Sequence, residues 1–137
     1  MKVQPYLFFD GRAEEALEFY KKTLGVQQQM LMRFSENPEP PQPGMVPPGS
    51  ENKVMHMAFM LGESLIMGSD GCNTGTPNFQ GFCLSINPRD EAEAKTLVAA
   101  LGEGGQVAMP LAKTFYARCF GMVTDKFGVC WMINVEV

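Results

Sequence analysis

Apolar positions follow two rhythms along this chain, one strand-like and one helical, and their order occurs twice. Val3 to Phe9 is an apolar and aromatic run suited to a buried strand, after which Asp10-Gly11 turns the chain. Ala13, Ala16, Leu17, Tyr20 and Leu24 then recur at helical spacing, with Glu18 and Lys22 paired on the outer face and Gly25 as the stop. Val26 to Phe34 predicts a second strand. Residues 35–53 hold six of the ten prolines, so they predict a long extended loop rather than a helix or a central strand. Val54–Leu61 and Ser64–Ser69, joined by Gly62-Glu63, read as a tight hairpin.

The second half repeats this order. Gly81 to Ile86 predicts a strand, Asn87-Pro88-Arg89-Asp90 a helix start with Asn87 as N-cap, and Ala94, Leu97, Val98 and Leu101 an apolar stripe ending at Gly102. Gln106–Met109, Phe115–Val123 and Val129–Val135 predict three further strands. A shift of 77 positions sets Leu7 on Leu84, Phe9 on Ile86, Asp10 on Asn87, Leu24 on Leu101 and Gly25 on Gly102. The expectation is an α+β fold. Two βαβββ modules, about 1–72 and 78–137, form one domain over 1–137, a cupped mixed sheet with helices on its outer face.

Composition narrows the chemistry. With 137 residues and a formal net charge of -4, the chain suits a single core and lacks the basic excess that nucleic acid requires. The opening apolar stretch is short and followed at once by charges, so neither signal peptide nor membrane anchor is expected. The one histidine, His56, rules out a zinc site built on several imidazoles. Cys72, Cys83, Cys119 and Cys130 form no CxxC pair; reduced, buried structural thiols in a cytoplasmic protein are the simple expectation.

Three segments carry a resemblance to a known family. QPYLFFDGRAEEALEFYKKTLG, VMHMAFMLGESLIMGSD and, most specifically, KTFYARCFGMVTDKFGVCWMIN resemble the PhnB-like branch of the vicinal-oxygen-chelate superfamily, which includes glyoxalase I, bleomycin-resistance proteins and extradiol dioxygenases. Several members of that branch bear names calling them 3-demethylubiquinone methyltransferases. A Rossmann-type methyltransferase needs a glycine-rich turn after its first strand, and Phe9-Asp10-Gly11-Arg12 does not supply one, so that activity is not expected. The superfamily's metal ligands, carried over by the repeat, fall at Gln4, near Met67, Gly81 and Met132. One amide, two thioethers and a glycine make a poor set for a divalent ion, so neither metal nor other cofactor is expected.

His56 shares a strand face with Val54, Ala58 and Met60, and the module match sets it opposite Arg118. It is either a hydrogen-bonded structural histidine or, with Arg118, a group that projects into the cup and orients a polar or anionic ligand. Gln4, Tyr6 and Phe8 on the first strand, and Tyr116, Phe120 and Met132 near the end of the chain, read equally as cup lining or core. Trp131 faces away from Met132, toward a helix. Cys83 and Cys130 fall on cavity faces, Asp125 is a turn residue, and Ser69-Asp70 a strand exit. Nine of the eleven methionines fall in predicted strands, where thioethers adapt to irregular guests or simply fill a core. The expected function is metal-independent binding of a small molecule in the cup, by a homodimer, with the Pro-rich loop as lid. The alternatives are a lyase, isomerase or dioxygenase holding a metal through His56 with Glu63 or Asp70, and a pure assembly partner.

Overall fold

A computed structural model describes residues 1–39 and 47–137. The chain divides into two units, Met1–Asn78 and Phe79–Val137. The first contains β1 (Tyr6–Phe8), α1 (Ala13–Leu24), β2 (Gln27–Arg33), a 3-10 turn at Phe34–Glu36, β3 (Val54–Leu61) and β4 (Ser64–Ser69). The second contains β5 (Leu84–Ile86), α2 (Glu91–Leu101), β6 (Gln106–Ala112), β7 (Ala117–Thr124) and β8 (Cys130–Glu136). Each unit is therefore a βαβββ module. Their sheets have the same order, β1-β4-β3-β2 and β5-β8-β7-β6, with the first strand parallel to its neighbour and the other pairs antiparallel.

The helices bury one face of each sheet. Tyr20 of α1 lies with its ring centroid 6.1 Å from those of both Phe9 and Phe59, and all three are fully buried. Alternation then puts Leu7, Met57, Phe59 and Ile66 on that inner face, where burying each large side chain contributes about 1.5–3 kcal/mol. Gly68 pairs with Leu7 and Met57, and a Cβ there would come within 2.8 Å of the Leu7 carbonyl oxygen, so the close approach of β1 to β4 needs glycine. In the second unit Trp131, Ile133 and Val135 of β8 and Val123 of β7 are the inner row, as expected for Trp131.

Several sequence expectations need correction. Strands β1 and β5 have three residues each, fewer than Val3–Phe9 and Gly81–Ile86, because the paired ladder with β4 and β8 is that short, although Pro5 and Phe9 still exchange single backbone hydrogen bonds with Met67 and Ser69. Helix α2 is capped by Asp90, whose carboxylate accepts the Glu93 N–H at 2.8 Å; Asn87 instead donates from Nδ2 to the Asn134 carbonyl. Glu18 pairs with Lys21, not Lys22, because the Lys21 ammonium reaches Glu18 and Gln28 together. The cysteines are not four buried thiols. Cys83 and Cys130 form a disulfide, Cys72 is exposed, and Cys119 is a buried free thiol. The parallel register explains the bond: Leu84 pairs with Trp131, so the residues preceding them on the two adjacent segments are lateral neighbours, with Cα atoms 4.6 Å apart.

Candidate functional site

With one face of each sheet under a helix, the opposite faces are where strand side chains can meet a ligand. On the first sheet the pairs Tyr6 with Met67, Met67 with Ala58, and Ala58 with Met30 make a row across all four strands. Met32 lies beside His56 and Met60 beside Leu65. Tyr6, Phe8 and Met30 are exposed, whereas Met32, Met60 and Met67 are half-buried. The Tyr6 hydroxyl lies 3.0 Å from His56 Nδ1, and the two rings are stacked at 5.5 Å with Phe8 at 5.1 Å from Tyr6. When Tyr6 donates to Nδ1, the remaining ring proton sits on Nε2, which has no other hydrogen-bond partner among the described residues. Gln4 precedes β1 and is half-buried.

The second sheet repeats the pattern. Ser85 pairs with Met132, Met132 with Met122, and Met122 with Met109, a row containing three methionines. Phe120 pairs with Asn134 and stacks edge-on against Tyr116 at 5.7 Å. Arg118 sits at a bulge between Ala117 and Cys119, which takes it out of simple alternation. Its side chain is exposed, Nε donates to the Glu136 carbonyl at 3.0 Å, and it makes no ion pair among the described residues.

Thus Tyr6, Phe8 and His56 are brought together in the first unit, and Arg118, Phe120 and Met132 lie on strands of the second, with Tyr116 just before β7. Two features were not anticipated. The Tyr6–His56 bond depends on β4 lying between β1 and β3, which spacing along the chain does not reveal. Asn134 carries a buried Oδ1 without a hydrogen-bond partner among the described residues, and its only sequence signal is a carboxamide within an apolar strand alternation.

The metal ligands that the superfamily implies do not fit here. Gln4, Met67, Gly81 and Met132 offer one amide oxygen, two soft thioethers and no donor at the glycine, and no group of three His, Cys, Asp or Glu side chains converges among the described residues. The alternative set around His56 fails on geometry. Glu63 lies in the β3–β4 turn, seven residues along from His56 or about 20 Å of extended strand. Asp70 is buried, with both oxygens engaged by backbone N–H groups of Gly11, Ala13 and Val54.

A depression of about 570 Å³ beside the start of α1 is lined by Arg12, Glu14, Glu15, Glu18, Lys53 and Asp70. Its charges are largely engaged: Arg33 binds Glu14 through both terminal nitrogens, and Lys53 Nζ donates to the Gly11 carbonyl at 2.8 Å. The Arg33 hydrogen bond holds the Glu14 carboxyl below its ordinary range, so this surface pair helps the fold at neutral pH and loses that contribution on acidification. The centre of the expected lid, residues 40–46, lies outside the described residues. No helix among them is long and apolar enough to cross a membrane.

Comparison with known proteins places this geometry in a family. The model for the 3-demethylubiquinone-9 3-methyltransferase family matches residues 1–134. Protein YjdN of Escherichia coli is 35% identical over 140 residues, covering 98% of this chain and 95% of its own. The crystal structure of PA1353 from Pseudomonas aeruginosa is 37% identical with a TM-score of 0.84, covering 99% of this chain and 98% of that one. A glyoxylase/bleomycin resistance protein/dioxygenase domain from Frankia, 11% identical, covers 98% of this chain and 94% of its own at a TM-score of 0.64, a likeness of fold alone. The chain belongs to the family described as 3-demethylubiquinone-9 3-methyltransferase, and its fold is that of the glyoxylase/bleomycin resistance protein/dioxygenase domain.

Proposed function

We propose that this protein binds a small, amphipathic or aromatic molecule without a metal, over the open sheet faces. The observation that carries the reading is the make-up of those faces. Methionine rows give adaptable apolar surface, and the few polar groups among them, the Tyr6–His56 pair and Arg118, are able to orient a ligand. The methyltransferase wording of the family carries no weight here, because two four-stranded mixed sheets are not the parallel, doubly wound sheet on which a Rossmann-type cofactor site is built.

A thermal-shift panel of aromatic and anionic small molecules tests this. At least one class is expected to raise Tm, with His56→Ala and Arg118→Gln each weakening binding about tenfold, the loss of one hydrogen bond to a polar or charged group. If no compound shifts the wild type and the variants change stability alone, the reading fails.

The proposal includes a cytoplasmic homodimer. Edge strand β6 is exposed along most of its length, including Val107 and Met109, and an unpaired apolar edge gains from a second copy. Light scattering is expected to give twice the chain mass at micromolar concentration; a monomer throughout would remove this part.

A further inference from the structure

We propose that the β7–β8 end of the second sheet reads a ligand bearing an anionic group with a hydrogen-bond donor close to it, through Arg118 and Asn134. This rests on the small-molecule reading above and adds the chemical class. Asn134 is held firmly: its strand pairs it with Phe120, and its carbonyl accepts the Asn87 Nδ2–H at 3.2 Å. Yet its side-chain Oδ1 is buried and unbonded. A withdrawn acceptor without a donor destabilises the fold, whereas an apolar side chain of the same size at this position would not. The carboxamide therefore serves something other than folding, and what an unbonded acceptor takes is an O–H or N–H.

Arg118 supplies the complementary half. Its Nε is tied to the Glu136 carbonyl, which fixes the guanidinium plane and leaves both Nη groups for a carboxylate or phosphate. Phe120, directly opposite Asn134, lies two residues along β7 from Arg118, a separation of about 7 Å in a strand. That span suits one small molecule. The Tyr116 and Phe120 rings, edge-on at 5.7 Å, add apolar aromatic surface on the chain segment that carries Arg118, which favours an aromatic or short apolar acid.

Calorimetric titration of the full chain with benzoate, the three hydroxybenzoate isomers, phenol and phenyl phosphate tests the assignment. At least one hydroxybenzoate is expected to bind about tenfold more tightly than benzoate, a preference that Asn134→Leu abolishes while raising Tm by about 3 °C. Arg118→Gln is expected to weaken all the acids about tenfold. Phenyl phosphate binding more tightly than benzoate would identify phosphate as the anion, the reverse order carboxylate, and either order supports the site. Equal binding of benzoate and every hydroxybenzoate, or retained preference in Asn134→Leu, overturns the inference and leaves the binding reading intact. A fall in Tm or failure of Asn134→Leu to fold also overturns it, because the acceptor would then serve the fold. Absence of binding by any compound, phenol included, overturns the binding reading and this inference with it.

Discussion

Asp70→Ala is expected to lower the unfolding free energy by about 4 kcal/mol, a large fraction of the total for a domain of this size. The carboxylate is 1% exposed, and its two oxygens accept three backbone N–H groups: Gly11 at 2.9 Å, Ala13 at 2.8 Å and Val54 at 2.7 Å. Helix α1 has no capping bond from Arg12 at its own start, so Asp70 caps it from the end of β4 while also fixing the start of β3. Alanine would strand all three donors in the interior. Asp70→Asn keeps one acceptor but turns an amide N–H toward a backbone N–H, so roughly half of the loss should return. Urea unfolding at neutral pH measures both. A loss below about 1 kcal/mol for alanine would show that these donors find other partners.

The second large effect is expected at the β7–β8 turn. Asp125, 2% exposed, accepts the N–H groups of Phe127 and Val129 through Oδ1 and the Trp131 indole N–H through Oδ2 at 2.8 Å. Asp125→Ala should cost about 3 kcal/mol, and Trp131→Phe, which loses the indole donor while keeping most of the ring, about 2 kcal/mol. In a double-mutant cycle the two should be non-additive by about 1 kcal/mol or more. Strict additivity would mean that the indole bond contributes nothing and that Trp131 acts through packing alone.

How much of this could be read from the chain depended on how local each signal was. The bounds of β3 and β4 agree with the expected Val54–Leu61 and Ser64–Ser69, because strand alternation and a two-residue turn are encoded within fifteen residues or so. The duplicated module was also legible, since helix stripe and stop recur in phase. Asp70 read only as a strand exit, because its three partners lie on a helix start and a strand distant in sequence. The helix cap at Asp90 was missed in favour of Asn87, whose side chain is taken by the Asn134 carbonyl across the sheet. Cys83 and Cys130 were placed on matching faces, but only the β5–β8 register makes them neighbours. At the candidate site, the sequence brought forward His56 together with Arg118, and Tyr6 apart from them. The Tyr6–His56 bond, the bulge under Arg118 and the unbonded Asn134 acceptor all arise from strand pairing, which no single segment contains.

The parallel closure of each sheet also sets an order of assembly. In the first unit β2, β3 and β4 form an antiparallel meander from successive strands, but β1 meets β4 through Tyr6 and Met67, which are 61 positions apart by subtraction of their numbers. The corresponding contact in the second unit, Leu84 with Trp131, spans 47. Long closures cost chain entropy before any pairing repays it, so the first strand of each module is expected to dock after its meander. During synthesis, β1 leaves the ribosome first and must wait for the last strand of its own module.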